Sequence, residues 1–260
     1  MKTIPLSNEQ AKRWSKLKQK KYRLKEGRFL IEGLRLVQAA VDAGQSLQGI
    51  VLKESFYADK KAQALVSSCD CLIYLASDKH WKQLSDTVHG QGIIALAAFP
   101  EERESKIWSD RILVLDRIQD PGNLGTILRT AEAFGFKDVF LAKGCADPFD
   151  GKTMRASMGG VFSLSLHFLD SDSIMGFKEK GYQCIASALY DSQHLPSAKV
   201  AQRVALIIGN EANGVRESWL VESDIRVLIP MTGEVESLNA GIAAGILMYS
   251  MQEKQRIELS

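Results

Sequence analysis

Ile225–Tyr249, IRVLIPMTGEVESLNAGIAAGILMY, decides how the rest of the chain is read. Ile225 to Ile229 is a short apolar run rich in β-branched residues, the composition of a buried strand. Pro230 stops it, because proline has no N–H to give to a ladder. A polar loop carrying Gly233, Glu234 and Glu236 follows, and Ser237 or Asn239 then offers an N-cap to a helix from about Leu238 to Gln252. Gly241 and Gly245 lie inside that helix, each at a cost of about 1 kcal/mol relative to alanine. Either tight helix packing or close approach of another backbone or a ligand must offset that cost.

The remainder is ordinary in bulk. With 260 residues, 45% hydrophobic and 25% charged, the chain is long enough for one large or two ordinary domains. No apolar run reaches the length of a membrane span, and MKTIPLSNEQAKRW lacks a signal-peptide core, so a cytoplasmic location without a membrane partner is expected. Cys69, Cys71, Cys145 and Cys184 are too few and too scattered for a disulfide framework. Cys69 and Cys71 lack metal-ligand spacing, and His80, His89, His167 and His194 are dispersed, so no metal site is expected.

The net charge of +2 hides an asymmetry: residues 1–30 carry ten Lys and Arg against Glu9 and Glu26, leaving −6 for the rest. A basic arm interleaved with Trp14 and Tyr22 suits a polyanion, since cations neutralise phosphates and rings stack on bases. A solvated helix face would read the same way.

Helix and strand signals alternate along the chain. Strand-like runs at Phe29–Gly33, Ile50–Leu52, Cys71–Leu75 and Gly92–Ala97 are separated by helical patterns at Leu34–Ala43, Tyr57–Val66 and Asp78–Leu84. Pro100 and the charge run behind it then mark a linker, with a domain boundary near residues 98–108. Beyond it, strands are expected at Ile112–Leu115, Val139–Leu141, Phe162–Leu166, Gln183–Ser187, Val204–Ile208 and Ile225–Ile229. Helices are expected at Leu124–Phe134 and from Thr153 to Met158. This is α/β spacing with a mostly parallel sheet.

Three strands run straight into polar, glycine-containing loops: Leu115 to Gly125 with Arg129 beyond, Ile208 to Gly214, and Ile229 to Asn239. Ligands of open parallel sheets bind at the carboxyl ends of strands, so such loops side by side make one site. Neither G-x-G-x-x-G nor a Walker loop is present.

These loops resemble the three motifs of the SpoU (TrmH) family of RNA 2′-O-ribose methyltransferases in the SPOUT superfamily. They are Asn123-x-Gly125-x-x-x-Arg129; Ile208-Gly209-Asn210-Glu211-x-x-Gly214; and Ile229-Pro230-Met231 with Ser237-Leu238-Asn239. Arg155–Gly159 is family-like as well, whereas Ala240-Gly241-Ile242 departs from the bulkier opening of the last helix. Lys21–Arg23, Phe29–Gly33 and His89–Gly92 are similar to the ribosomal-protein-L30e-like RNA-binding module. The resemblance implies an L30e-like RNA-binding domain over 1–98, a linker over 99–108 and a trefoil-knotted α/β methyltransferase domain over 109–260. It implies S-adenosyl-L-methionine as cofactor and a homodimer.

The resemblance makes Asn123, Arg129, Glu211, Ser237 and Asn239 the catalytic candidates. Arg129 would hold an RNA phosphate and stabilise developing alkoxide charge, since an arginine does not deprotonate. Asn123 would orient that arginine or the ribose, and Glu211 would brace the guanidinium from behind. Gly209, Asn210, Ile229, Met231 and Leu238 would bind the cofactor, largely through main chain. Lys18, Lys21, Arg23 and Arg28 are the RNA-binding candidates. The substrate expected is structured RNA, 23S-type rRNA before tRNA. A knotted RNA-binding or ribosome-assembly protein without catalysis is the rival from another class.

Overall fold

The computed structural model describes residues 3–87, 90–100, 107–233 and 237–258, with side chains to Glu253. His89, residues 101–106 of the expected linker, and Glu234 and Glu236 lie outside these. Contacts gather the chain into two compact units, Met1–Glu102 with Phe149–Phe162, and Arg103–Pro148 with Ser163–Ser260. The chain is therefore not divided at one point, and a segment of the expected 109–260 domain belongs to the N-terminal unit.

That unit runs β1 (Thr3–Pro5), α1 (Asn8–Ser15), α2 (Lys20–Glu26), β2 (Arg28–Glu32), α3 (Leu34–Asp42), β3 (Leu47–Lys53), α4 (Lys60–Ser67), β4 (Leu72–Ala76), α5 (Asp78–Leu84) and β5 (Ile93–Ala98). Its sheet has the order β1-β4-β3-β5-β2, with β1, β4 and β3 parallel and β5 antiparallel to β3 and β2. Ser7 and Gln10 form a reciprocal capping box that starts α1. Gly27, at φ 64°, ends α2 in the left-handed region and turns the chain into β2.

The second unit carries β6 (Arg111–Leu115), α6 (Pro121–Ala133) and β7 (Asp138–Ala142); the chain then contributes α7 (Gly151–Ser157) to the first unit. It resumes with β8 (Ser165–Leu169), α8 (Met175–Glu179), β9 (Gln183–Ser187), β10 (Gln193–His194), β11 (Val204–Ile208), α9 (Glu217–Glu222), β12 (Ile225–Leu228) and α10 (Ala240–Glu258). Seven strands in the order β10-β12-β9-β11-β6-β7-β8 are all parallel. Every residue of β7 and β11 is buried, the continuous apolar run of strands covered on both faces. Because the strands are parallel, their carboxyl ends share one edge, and the loops after β6 and β11 are neighbours there.

The segment lent to the first unit is bound by aromatic packing. Phe149 lies 4.7 Å from Phe29 and 5.0 Å from Phe99, ring centre to ring centre. Gly159, at φ 92°, lies so close to α3 that a Cβ would come within 2.5 Å of the Ala39 Cβ. This explains one departure from the sequence reading: Val161 and Phe162 sit in a 3-10 turn at Gly160–Ser163, and the expected Phe162–Leu166 strand instead spans Ser165–Leu169. The other differences are at ends. Asp120 starts α6 at Pro121, β12 stops at Leu228, and α10 begins at Ala240 and runs on to Glu258. β1, α8, β10 and α9 were not foreseen, being two to six residues long.

Candidate active site

Asp120 caps α6 by accepting the Asn123 N–H at 2.8 Å, with Pro121 supplying a first-turn residue that has no N–H to satisfy. The Asn123 amide is thereby aimed across the edge of the sheet. Its Nδ2 donates to Glu211 Oε1 at 2.6 Å, and its Oδ1 accepts from Asn239 Nδ2 at 2.8 Å. Asn239 Oδ1 in turn accepts from the N–H groups of Gly241 at 2.9 Å and Ile242 at 3.3 Å, so Asn239 rather than Ser237 is the N-cap of α10. One hydrogen-bonded chain, Glu211–Asn123–Asn239, thus ties together the loops after β11, β6 and β12.

The other two catalytic candidates stand outside that chain. Arg129 is exposed on α6 and, among the described residues, has no hydrogen bond or ion pair. Glu211 is engaged by Asn123 and, at 3.4 Å, by Asn210, so it does not brace the Arg129 guanidinium as expected, and Asn123 does not orient it. Ser237 is exposed, and its side chain makes no hydrogen bond among the described residues.

Of the cofactor candidates, Gly209 answers to its own loop: a Cβ there would come within 2.1 Å of the Gly214 carbonyl carbon and the Val215 nitrogen. Asn210, 8% exposed, spends its side chain inside the same loop. Its Oδ1 accepts from Ala212 N at 2.9 Å and Asn213 N at 3.1 Å, and its Nδ2 donates to the Arg117 carbonyl at 2.9 Å. Its side chain thus shapes the loop, which leaves its main chain for a ligand. Ile229, Met231 and Leu238 are all half-buried.

Residues 110–249, more than half of the chain, match the SpoU rRNA methylase family. The chain belongs to the SpoU family. Residues 8–95 match the MRM3-like substrate binding domain. The 23S rRNA (guanosine(2553)-2′-O)-methyltransferase RlmP of Bacillus subtilis is 34% identical over 246 residues, covering 94% of this chain and 96% of that one. The SpoU methyltransferase AviRb of Streptomyces viridochromogenes, solved with AdoMet, superposes with a TM-score of 0.87 at 27% identity, over 96% of this chain and 99% of its own. An AdoMet-bound rRNA methyltransferase from Sinorhizobium meliloti gives 0.84 at 29%, over 100% and 99%.

This SpoU methylase is thus an RNA methyltransferase dependent on S-adenosyl-L-methionine. The residues present suit that cofactor. Ile229, Met231 and Leu238 are partly exposed apolar side chains next to the polar loops, a surface that an adenine and ribose would cover. Among the described residues no group of His, Cys, Asp and Glu is placed to hold a metal ion, and no helix is long and apolar enough to cross a membrane.

Sequence reasoning missed the charges beneath these loops. Asp116, fully buried at the end of β6, accepts from Arg117 Nε and Nη2 at 3.0 and 3.1 Å. It also accepts from Arg216 N, Nε and Nη2 at 2.8, 3.0 and 2.7 Å. Burial pushes its pKa up, but the hydrogen bonds from Arg216 and Arg117 and the charge of Arg216 outweigh burial and hold it below the usual carboxylate value. The available signal was a lone carboxylate directly after the apolar run Ile112–Leu115. Cys145 lies close by and donates to the Leu115 carbonyl at 3.3 Å. Burial pushes its thiol up to about 11, so it stays protonated and unreactive at neutral pH.

In the N-terminal unit the basic residues divide by burial. Lys21 is exposed, its ammonium 4.8 Å from the centre of the Tyr22 ring, with Lys16 at 5.6 Å from the same ring. Arg28 is half-buried. Lys18 is partly tied down, donating to the Ser85 carbonyl at 2.8 Å and pairing with Asp86 at 3.0 Å. Arg23 is 3% exposed and donates to the carbonyls of Leu17 and Lys18, so as a direct RNA contact it is excluded. Trp14 is likewise buried, edge-on to Tyr74 at 5.1 Å, and is not available to stack on a base.

Proposed function

We propose that this SpoU methylase methylates a ribose 2′-hydroxyl in structured RNA of the 23S rRNA type. The observation that carries the reading is the Glu211–Asn123–Asn239 chain with Arg129, unpartnered among the described residues, on the same helix as Asn123. The name of the Bacillus subtilis relative supports the choice of RNA and position. S-adenosyl-L-methionine supplies an electrophilic methyl group. The Arg129 guanidinium grips a phosphate beside the target ribose and stabilises the alkoxide as its proton leaves to phosphate or water. Asn123 and Asn239 are held by Glu211 and by the cap of α10, so their amides are fixed before RNA arrives and cost no reorganisation during the reaction. Ser237, exposed on the same loop as Asn239, contacts RNA. Ile229, Met231 and Leu238 hold the cofactor, together with the main chain of Gly209 and Asn210.

We further propose that residues 1–98 recognise RNA through Lys21, Arg28 and the exposed Lys16, that residues 99–108 link them to the transfer domain, and that the protein acts in the cytoplasm. Ile242, Ile246 and Tyr249, 55%, 38% and 51% exposed, lie along one stripe of α10 at helical spacing. They form the contact of a homodimer. The last strand and helix are threaded as the trefoil knot.

The test is transfer of labelled methyl from S-adenosyl-L-methionine to unmodified large-subunit rRNA and to bulk tRNA. Label in a 2′-O-methylnucleoside of the rRNA is expected. Label in tRNA alone favours the tRNA reading, and RNA binding without transfer favours an assembly factor.

A further inference from the structure

The loop Gly209–Val215 is gripped at both ends by one small structure. At its start, the Asn210 amide donates to the Arg117 carbonyl at 2.9 Å. At its end, Arg216 gives its backbone N–H and two guanidinium N–H groups to the buried Asp116. Asp116 and Arg117 are adjacent, and Asp116 itself is clamped in register by donating its N–H to the Ile208 carbonyl at 2.9 Å, one residue before the loop. Arg117 has φ 56°, a left-handed conformation that a non-glycine residue seldom adopts. Two neighbours hold it there. Its guanidinium makes a two-pronged bond to Asp116, and its stem lies over Gly144, where a Cβ would come within 3.0 Å of Arg117 Cγ. A strained residue fixed from several sides at the edge of a site is the pattern of stored pre-organisation.

We infer that Asp116 and Arg117 are positioning residues for cofactor binding: the strained Arg117 backbone, locked by Asp116, holds Gly209–Val215 in its binding shape before the cofactor arrives. This rests on the cofactor reading of that loop given above. The loop is tight enough for small shifts to matter, since Gly209 has no room for a methyl group against Gly214 and Val215. Releasing the Arg117 carbonyl leaves the buried Asn210 amide without that acceptor and lets the start of the loop move. Cofactor affinity then falls in proportion to the fraction of time the loop is correctly shaped.

Arg117→Gly tests the lock directly, because glycine takes a positive φ without strain while losing the guanidinium that holds the backbone there. The variant loses two hydrogen bonds to the buried Asp116, so its melting temperature is expected to fall somewhat while its kcat at saturating cofactor is kept. Its KM and calorimetric Kd for S-adenosyl-L-methionine should rise about tenfold, as for a loop competent about a tenth of the time. Amide exchange at Asn213 and Gly214 should quicken while β11 stays protected. Asp116→Asn, which keeps shape and loses charge, should move Kd in the same direction. Unchanged Kd and unchanged loop exchange in Arg117→Gly would overturn the inference, as would a loss confined to kcat. Absence of cofactor binding by the unaltered protein would instead overturn the cofactor reading of the loop.

Discussion

Arg129 and Asn123 sit on one helix in opposite situations, and their replacement separates two kinds of loss. Arg129 is exposed and unpartnered among the described residues, so Arg129→Ala should leave stability within about 0.5 kcal/mol. If it acts on developing charge, turnover should fall by about two orders of magnitude or more with cofactor and RNA binding retained, as single-turnover kinetics will show. Asn123→Ala leaves Glu211 and Asn239 each short of a partner, and should cost about 1–3 kcal/mol of stability in addition to activity. Asn123, Glu211 and Asn239 were legible in the sequence because a motif fixes their identity and order. Arg23 was not legible, because a side chain's type does not say which way it points. The Asn210 side chain shapes its own loop, and the Arg23 guanidinium turns inward to the carbonyls of Leu17 and Lys18.

At the level of elements, α10 against α6 answers the question raised by the two glycines. Thr126 and Thr130 bond their hydroxyls back to the carbonyls four residues earlier, which leaves their methyl groups to face α10. A Cβ on Gly241 would lie 3.2 Å from both the Thr126 methyl and the capping Asn239 oxygen, while one on Gly245 would lie 3.6 Å from the Thr130 methyl. Only the first is a close approach. Gly245→Ala should therefore stabilise by up to about 1 kcal/mol and Gly241→Ala should not, measured as urea midpoints at one protein concentration. The exposed stripe of the same helix gives a second test. Ile246→Asp should turn a dimer into a monomer by light scattering, and an unaltered protein that is monomeric at micromolar concentration and active would contradict the proposed interface. The central strands β6, β7, β9 and β11 could be read from sequence because burial on both faces makes them continuous apolar runs. The β8 boundary could not, since Val161 and Phe162 are apolar for the sake of packing in the other unit.

Across the whole molecule, discontinuity alters what a truncation means. Removing residues 1–98 would take Phe29 from Phe149 and Ala39 from Gly159, so residues 149–162 would lose their packing. Point substitutions at Lys16, Lys21 and Arg28 are the cleaner probe of RNA recognition. The buried carboxylates set the response to acid. Asp116 and Asp138 are both held below their ordinary value despite burial that pushes them up, Asp116 by its two arginines and Asp138 by Ser109 and His167. A lowered native pKa gives stability that is complete above the unfolded value of about 3.9 and is lost as pH falls through the native one. The melting temperature of the unaltered protein should thus fall steeply only below about pH 4. The gap to Asp116→Asn should narrow over the same range, and a gap independent of pH would contradict this.

Ribose methylation of ribosomal RNA at the Asn123–Arg129 site is the proposed activity. Mapping 2′-O-methyl positions by primer extension, in rRNA from cells with and without the gene, tests it most directly. One stop in large-subunit rRNA should disappear with the gene, return with the intact gene, and not return with Arg129→Ala. Identical maps in the two strains, or restoration by Arg129→Ala at full strength, would contradict it.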